Sequence, residues 1–450
     1  MFKKVMIANR GAVAARLVKT LRALGVKSVA LYSEADAGLP YVAEADEKYL
    51  LGPSPAPQSY LNQEAILEAA RKCGAEAVHP GYGFLSENAA FAEKVREAGL
   101  CFIGPDPKWL KLMGDKTASK ELMMAEGFPA SPSTGILVGS IDEQAAQAEA
   151  LGFPLLIKPA GGGGGIGMTP VYEREKLAAA IESAGKLAAR SFGAPALYAE
   201  RLMENPRHVE FQIVADQKGR AVHLFERDCS TQRRRQKVVE EAGAPNVPAE
   251  ELKAMAERAA EVMGRLGYDH LGTVETLYQP DSGFAFLEVN PRLQVEHGVT
   301  EEVTGLDLVA AQIRLAAGAS LDEALPSRPS AVAGHAIEAR IYAEDPEKFF
   351  PSPGPLKVFR PPQGPGVRVE TGFAEGATIT PFYDPMIALL IVRAENRLAA
   401  IDLMYEALGD FAVEGIKTNI PFVRGLMKYE PFRQGLVHTG LAEEYLRGRG

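Results

Sequence analysis

The sequence predicts a multidomain protein of mixed α/β and α+β class, and three observations support this prediction. The chain has 450 residues, more than one hydrophobic core normally serves, which indicates two to four domains. Its first hundred residues alternate short apolar runs with helix-forming segments, a pattern typical of a parallel sheet. Later, two strand-like runs flank a strong turn signal at residues 279–283, which predicts an antiparallel hairpin.

The first strand is predicted at residues 5–8, and a turn at Asn9-Arg10-Gly11 leads into a helix that ends near Gly25. A second strand at residues 29–32 completes a strand–helix–strand unit, and the alternation continues to residue 104. We therefore expect an α/β domain that ends near residue 112. Its first turn lacks the GxGxxG pattern, which disfavours dinucleotide binding.

The middle of the chain predicts a small inserted α+β module over about residues 130–203. A strand at 155–158 leads into a glycine loop, and a helix at 174–189 and a strand at 196–199 follow. Further strands are predicted at residues 208–214, 221–225, 273–278 and 284–289. Stretches rich in Pro and Gly at residues 351–355 and 361–366 mark loops between the last strands.

The glycine loop at residues 161–167 contains six glycines and one isoleucine. Ordering glycine is entropically unfavourable, so such a loop suits backbone amides that must approach a ligand closely. Amides of this kind cradle phosphate oxygens, and Lys158 on the preceding strand could reach the same phosphates. A flexible linker is the alternative. The loop does not match GxxxxGK[ST], which disfavours a P-loop nucleotidase.

Composition disfavours several other classes of protein. The formal net charge is −9, from 49 basic and 58 acidic residues, which disfavours general nucleic-acid binding. Three widely spaced cysteines support neither a disulfide framework nor a zinc site, so we expect a reduced, cytoplasmic setting. The N-terminus is interpreted as a strand rather than a signal peptide. No apolar run approaches the roughly 20 residues that a membrane span needs.

From residue 288 to 296, every even position is polar and every odd position is apolar. In an extended strand, the polar side chains would share one face: Glu288, Asn290, Arg292, Gln294 and Glu296. Carboxylates, amides and a guanidinium on one face predict a platform for a metal and an anion together.

The hairpin predicts a metal site on the same strand. A four-residue loop over 280–283 would pair Gln279 with Phe284 and set Glu275 opposite Glu288. Carboxylates on directly opposed residues repel unless a cation lies between them, and Mg²⁺ prefers oxygen ligands. The alternative is an exposed hairpin with coincidental acids.

A cluster of donors at residues 226–237 follows a predicted strand, and it is interleaved with Asp, Ser and Gln. Small-anion binding and an ordinary solvated face are both open interpretations of this basic cluster.

Taken together, the sequence resembles the biotin carboxylases of the ATP-grasp superfamily over nearly the whole chain. The matching stretches are residues 7–11 (Ile-Ala-Asn-Arg-Gly), 79–88, 113–116 (Met-Gly-Asp-Lys), 161–167, 204–210, 226–230, 236–241, 288–297, 334–340, 343–346, 351–354 and 415–419. The resemblance implies a Rossmann-like N-terminal domain (1–112), an ATP-grasp domain (113–330) whose mobile lid spans about 130–203, and a C-terminal biotin carboxylase domain (331–450). It also implies ATP-dependent carboxylation of biotin by bicarbonate.

The resemblance further implies roles for individual residues. Glu275, Glu288 and Asn290 would hold Mg²⁺ or Mn²⁺, and Glu296 would remove a proton from bicarbonate. ATP would contact Lys116, Lys158, Gly164, Gly165, Glu200, Arg201, Leu202, Met203, His208, Gln232 and Arg235, besides the acids Glu275 and Glu288. Bicarbonate and biotin would contact Lys237, Arg292, Gln294, Val295, Tyr82 and Arg340, where Arg340 stabilises the biotin enolate.

Three positions depart from the family pattern: Ile166 replaces a basic residue, Arg235 a histidine and Pro159 a small residue. None of them is a proposed metal ligand, bicarbonate ligand or base, so we expect an active enzyme with altered ATP affinity.

The chain has no Met-Lys-Met biotinylation motif, because residues 427–429 read Met-Lys-Tyr. We therefore expect biotin on a separate carrier protein, a homodimer, and a carboxyltransferase as a further subunit, with no nucleic acid or membrane partner. Two alternatives are a carbamoyl-phosphate-type ATP-grasp ligase and a catalytically silent nucleotide-binding subunit. The sequence leaves the final acceptor of the carboxyl group open.

Overall fold

The structure is a computed structural model that describes residues 1–160, 167–192 and 196–448. Its N-terminal part is a parallel five-stranded sheet of order β3-β2-β1-β4-β5. The predicted strand–helix–strand unit is confirmed, whereas β3 is a strand that the sequence patterns did not predict. The elements are β1 (Lys4–Ile7), α1 (Gly11–Ala23), β2 (Lys27–Ser33), α2 (Pro40–Glu44), β3 (Glu47–Gly52), α3 (Gln63–Cys73), β4 (Ala77–His79), α4 (Ala89–Glu97), β5 (Cys101–Phe102) and α5 (Pro107–Gly114).

A small module with its own core follows, built on a three-stranded antiparallel sheet of order β7-β6-β8. The helix predicted to begin at residue 174 starts with a 3₁₀ turn and becomes α-helical at Leu177. Helix α6 (Lys116–Ala125) precedes the module and packs in a different core, with Met123 beside Phe128 and Phe286. The elements of the module are α7 (Ile141–Glu149), β6 (Leu155–Pro159), β7 (Thr169–Val171), α8 (Leu177–Phe192) and β8 (Leu197–Arg201).

A large antiparallel sheet of eight strands, in the order β13-β12-β9-β10-β11-β14-β19-β17, dominates the rest of the molecule. The sheet joins strands from both sides of residue 330, so the last two predicted domains share one sheet. Its elements up to β14 are β9 (Arg207–Ala215), β10 (Ala221–Arg233), β11 (Gln236–Ala242), α9 (Ala249–Leu266), β12 (Leu271–Gln279), β13 (Gly283–Asn290), α10 (His297–Thr304), α11 (Leu308–Ala316), α12 (Leu321–Ala324) and β14 (His335–Tyr342).

The C-terminal elements complete this sheet and cover it with helices. They are β15 (Gly354–Pro355), β16 (Val358–Arg360), β17 (Val367–Glu370), β18 (Thr378–Ile379), β19 (Met386–Ala394), α13 (Arg397–Asp410), β20 (Ala412–Glu414), α14 (Ile420–Leu426), α15 (Glu430–Arg433) and α16 (Leu441–Arg447). Within the described residues, no helix combines the length and the apolar character that crossing a membrane requires.

Two sequence-based predictions about this sheet are wrong. The strand expected through Glu296 ends at Asn290, because Pro291 has no N–H to continue the ladder, and the chain then turns into α10. The basic cluster at residues 226–237 does not follow a strand. It lies within β10 and at the start of β11, and β10 continues to Arg233.

Candidate active site

The β12–β13 hairpin places two carboxylates opposite each other. Glu275 pairs with Glu288, as predicted, but the predicted pairing of Gln279 with Phe284 is wrong. Gln279 faces Gly283, so the loop has three residues (280–282) and not four. A bulge near Glu275 adds one residue on β13 and restores the predicted carboxylate pair.

Lys237, near the start of β11, is the charged centre of the site. Its Nζ lies 2.7 Å from Glu210 Oε2, 2.9 Å from Glu275 Oε1 and 2.6 Å from Glu296 Oε1. Burial would lower the pKa of Lys237, but the acidic groups around it outweigh burial and hold that pKa well above its usual value. The lysine therefore stays charged and links Glu275, one of the predicted metal ligands, to Glu296.

Glu296 lies just before α10, has no exposed surface and contacts two cations. Oε1 contacts Lys237, and Oε2 accepts a hydrogen bond of 3.0 Å from Arg340 Nη2. Burial would raise the pKa of Glu296, but Lys237, Arg340 and Arg227 hold it well below its usual range. In this state Glu296 is ionised and fully paired.

The three predicted metal ligands provide two kinds of oxygen donor, carboxylate and amide, at one edge of the sheet. Glu275 also contacts His208 at 2.8 Å and accepts a 2.8 Å hydrogen bond from Asn290 Nδ2. Glu288 Oε2 lies 2.6 Å from Lys116 Nζ. Two carboxylates and an amide oxygen on paired strands fit the ligand chemistry of Mg²⁺.

Among the described residues, one group tight enough for a single ion overlaps this edge but omits Glu288. It consists of His208, Glu210 and Glu275, whose ligand atoms lie within 4.8 Å of one another. The structure thus brings Glu275 together with His208 and Asn290, and it places Glu288 beside Lys116.

The predicted nucleotide residues divide into two groups. A cavity of about 330 Å³ is lined by Arg201, Leu202 and Met203, together with Pro154 and Phe284. Glu200 lies beside two lysines instead, because its oxygens contact Lys120 at 2.6 Å and Lys158 at 2.8 Å. Burial would raise the pKa of Glu200, but these lysines lower it. Gly164, Gly165 and Ile166 lie outside the described residues.

Gln232 and Arg235, both expected at the nucleotide, occupy different surroundings. Gln232 is buried, with its Nε2 2.9 Å from His208 Nδ1. Arg235 is exposed at the β10–β11 turn, where its φ of 65° is left-handed. Elsewhere in the basic cluster, Arg227 and Arg233 are buried against Glu210 and Glu344, so the cluster is not a single anion-binding surface.

The predicted anion side begins at Arg292. This guanidinium donates to Glu87, to Gln294 Oε1 at 2.7 Å and to Asn290 Oδ1 at 3.1 Å. Gln294 Nε2 in turn donates to Glu275 Oε1 at 2.9 Å, which connects the predicted anion-binding residues to a predicted metal ligand.

Two further predicted residues border this region. Val295 is half-buried and lies in the sequence between Gln294, which contacts Arg292, and Glu296, which contacts Lys237. Burial raises the pKa of Tyr82 well above its usual value, and Arg340 lies near enough to oppose this shift. Tyr82 and Arg340 therefore share one neighbourhood.

Sequence reasoning missed several residues of this network, above all Arg227 and Glu210. Arg227 has no exposed surface; its Nε donates to Glu210 Oε1 at 2.6 Å, and its other donors reach Gln212 and Thr273. A signal for Glu210 exists, since polar His208, Glu210 and Gln212 alternate with apolar residues along β9. Lys120, Glu240 and Glu338 were also missed.

Fold and site together define an ATP-grasp ligase, in which an α/β domain precedes in sequence a large antiparallel sheet that carries the site carboxylates. Family comparison gives three matches: the N-terminal domain of biotin carboxylase over residues 1–110, the ATP-binding domain of the carbamoyl-phosphate synthase L chain over 115–324, and the C-terminal domain of biotin carboxylase over 338–444. The chain belongs to the biotin carboxylase family.

Relatives and solved structures agree with this assignment. The chain is 47% identical to Biotin carboxylase 2 of Bacillus subtilis over 99% of this chain and 100% of that one. It is also 47% identical to a pyruvate carboxylase subunit of Methanothermobacter thermautotrophicus, over 100% of this chain and 91% of that one.

Among solved structures, the biotin carboxylase domain dimer of Hydrogenobacter thermophilus 2-oxoglutarate carboxylase, in complex with MgADP, ADP and bicarbonate, has a TM-score of 0.92 and 42% identity. The match covers 99% of this chain and 98% of that one. Biotin carboxylase from Campylobacter jejuni, in a β-γ-ATP complex, has a TM-score of 0.94 and 38% identity, covering 98% and 99% of the two chains.

Proposed function

We propose that this chain carboxylates biotin with bicarbonate and ATP through carboxyphosphate, the first half-reaction of biotin-dependent carboxylases. The observation that carries the proposal is the position of Lys237, whose ammonium contacts Glu275 on the metal side and Glu296 on the proton-accepting side. The complexes of the relatives with MgADP and with bicarbonate support the same assignment of substrates.

We assign the nucleotide to the region between Lys116, Lys158 and His208, with the adenine at the cavity beside residues 201–203. Gln232 supports His208, and Glu200 holds Lys158 in place. Gly164, Gly165 and Arg235 remain predicted nucleotide contacts. Mg²⁺, or Mn²⁺, would be held by Glu275, Glu288 and Asn290 and would neutralise charge on the phosphates.

Bicarbonate is assigned to the pocket of Lys237, Arg292, Gln294 and Val295. When bicarbonate binds to the cations that pair with Glu296, Glu296 loses part of its ion pairing and its proton affinity rises. Glu296 can then accept the bicarbonate proton. A bicarbonate oxygen then attacks the γ-phosphorus, the bond to the ADP oxygen breaks, and carboxyphosphate and ADP result.

In the second stage, carboxyphosphate breaks its C–O bond to give CO₂ and phosphate. Phosphate removes the N1′ proton of biotin, and the nitrogen attacks CO₂ to form carboxybiotin. In this proposal Arg340 would stabilise the negative charge on the biotin ureido oxygen, and Tyr82 would shape the pocket beside Arg340.

The domain limits 1–112, 113–330 with a lid at about 130–203, and 331–450 remain part of this proposal. So do a homodimer, a cytoplasmic location, a separate biotin carrier protein and a carboxyltransferase subunit. Relatives named as subunits of pyruvate carboxylase and methylcrotonoyl-CoA carboxylase, and a domain dimer, support the coarser view of a subunit in a larger carboxylase. Because these relatives use different acceptors, they leave the acceptor open.

The test is the Glu296→Gln variant, assayed for bicarbonate-dependent ATP hydrolysis stimulated by free biotin. General-base catalysis typically contributes about 10²–10⁴-fold, so we expect a loss of that size with nucleotide binding retained. Glu241→Gln is the matched control, because Glu241 is a buried carboxylate that pairs with Arg397 and not with Lys237. Normal carboxylation by Glu296→Gln would refute the base assignment. Absence of any biotin-stimulated activity in the wild type would refute the function.

A further inference from the structure

Two buried carboxyl groups lie behind Arg340. Glu240 on β11 and Glu338 on β14 are directly opposed residues of neighbouring antiparallel strands, and neither has exposed surface. Directly opposed side chains of a sheet lie about 4.5–5.5 Å apart at Cβ. The two side chains are thus neighbours on one face of the sheet, and this face also carries Arg340.

Arg340 spans the distance from this carboxyl pair to Glu296. Its Nε donates to Glu240 Oε1 at 2.6 Å, while Nη2 donates to Glu296 Oε2 at 3.0 Å. The Arg340 guanidinium is therefore held by Glu296, which has a role in the proposed reaction, and by Glu240, which has none.

The hydrogen bonding of the carboxyl pair is incomplete if both groups are ionised. Glu240 Oε2 and both oxygens of Glu338 are buried without a hydrogen-bond partner among the described residues. A buried, unpartnered carboxylate is strongly disfavoured, whereas one proton between two opposed carboxyl groups provides both a donor and an acceptor.

The segment that carries Glu296 also encloses the pair. Helix α10 begins at His297, and a Cβ placed on Gly298 would lie 3.4 Å from Glu338 Oε2 and 2.4 Å from Ile391 Cδ1. The absence of a side chain at Gly298 lets the first turn of α10 pack directly against the Glu338 carboxyl group.

The charges around the pair favour one shared proton. Burial raises the pKa of Glu338 well above its usual value, with Glu240 and Glu296 adding to this shift and Arg340 and Arg368 opposing it. Burial also raises the pKa of Glu240 to about 7, where Glu296 adds to the shift and Arg340 and Lys237 oppose it. Burial raises the pKa of Tyr82 well above its usual value, and the charge of Glu338 adds to this shift.

We propose that Glu240 and Glu338 share one proton and act as a positioning pair for Arg340. Glu338 carries the proton, and its O–H donates a hydrogen bond to Glu240 Oε2. Glu240 therefore stays ionised, and its Oε1 accepts the hydrogen bond from Arg340 Nε. When Glu296 becomes protonated, it loses its charge and its hold on Arg340 weakens. Glu240 then keeps the guanidinium in place for the enolate. This inference rests on the proposed function of Arg340.

Variants at Glu338 separate a shared proton from an ordinary packing role. Glu338→Leu leaves Glu240 Oε2 without a donor, and we expect kcat/KM for biotin to fall by about 100-fold, the effect of a guanidinium displaced by about 1 Å. The conservative variant Glu338→Gln provides an N–H donor that cannot ionise, so it should rescue most of this loss. Glu240→Gln should lower kcat/KM for biotin to a similar extent while KM for ATP stays unchanged.

A direct readout does not depend on turnover. The infrared spectrum of the wild type should show the carbonyl band of a buried protonated carboxylic acid, and Glu338→Gln should lose it. Glu241→Gln, a control on the same strand, should keep the band. Loss of activity in Glu338→Gln equal to that in Glu338→Leu, or no such band in the wild type, would overturn the shared proton. Because the band is measured without substrates, failure of the proposed function would be recognised separately.

Discussion

Three histidines are buried where the N-terminal sheet meets the large sheet, and we expect their protonation to destabilise this junction. His79 ends β4, His270 precedes β12 and His297 begins α10. Each has one ring nitrogen buried without a hydrogen-bond partner among the described residues: His79 Nε2, His270 Nδ1 and His297 Nε2. In His270 and His297 a proton on that nitrogen creates a buried charge, because the other ring nitrogen donates its N–H to a backbone carbonyl. In His79 the neutral ring carries its proton on Nε2, because Nδ1 accepts a hydrogen bond from the Gly81 N–H, and the buried charge arises when Nδ1 is protonated and this bond is lost. The neutral form of each ring is therefore favoured in the folded state.

The magnitude follows from the pKa values. Burial, with a contribution from His270, lowers the pKa of His79 from 6.5 to about 3, and burial lowers that of His270 to about 4. Because the pKa of these histidines is lowered in the folded state, the unfolded chain binds more protons. The stability that the neutral histidines contribute to the folded state is therefore complete above about pH 6.5 and is lost as the pH falls. Each pH unit costs about 1.4 kcal/mol per group, so pH 5 costs about 2 kcal/mol for each histidine.

The perturbation is His79→Asn, which keeps a side-chain oxygen to accept the hydrogen bond that the Gly81 N–H donates to His79 Nδ1. Urea unfolding is followed by the fluorescence of Trp109, the single tryptophan, whose ring lies 5.8 Å from that of Tyr268 at this junction. The variant is expected to be less stable at pH 7, but to lose about 2 kcal/mol less than the wild type between pH 7 and pH 5.

Comparison with the wild type is essential, because Glu240, with a pKa raised to about 7, changes stability in the opposite direction over the same pH range. His438→Asn is the matched control, since it makes the same replacement at a partly exposed side chain near the C-terminal helix. The same pH dependence in His79→Asn as in the wild type would refute the reasoning.

Three further predictions concern the site. Arg227→Met leaves the buried Glu210 without its 2.6 Å partner, so the free energy of unfolding should fall by about 3–5 kcal/mol, measured by urea denaturation. Lys158→Met should weaken ATP binding about 10- to 100-fold in calorimetry, the effect of a lost charged hydrogen bond, while the exposed Lys176→Met should not. Glu288→Gln should raise the Mg²⁺ concentration for half-maximal activity at least about tenfold, and an unchanged value would exclude Glu288 as a ligand.

The hairpin shows how far the sequence predicts the site. The turn residues at 279–283 located the loop, and the pairing of Glu275 with Glu288 was correct. The loop length was wrong by one residue, and a bulge offset that error. A bulge arises from packing against the neighbouring strand, which alternation along one strand does not reveal. Beyond Asn290, alternation suggested a strand, but a proline ends the ladder there.

Buried charges were the main omission, for a physical reason. Arg227 finds its partners on β9, on β12 and at Thr300 in α10, up to 73 positions away in sequence. In a local sequence window such an arginine resembles a solvated surface residue. Only the tertiary arrangement of the strands shows that its charge is neutralised inside the sheet.

The network around Lys237 also shows how Glu296, despite its low pKa, could serve as the proposed base. In this structure Glu296 is stabilised as an anion by Lys237 and Arg340, and such an ion has little affinity for a proton. Bicarbonate and the phosphates of ATP are also anions, so they would compete with the protein's own carboxylates for the same cations. Each cation that turns towards a substrate raises the proton affinity of the carboxylate it leaves. Substrate binding would thus generate the base at the moment and place where the nucleophile must lose its proton.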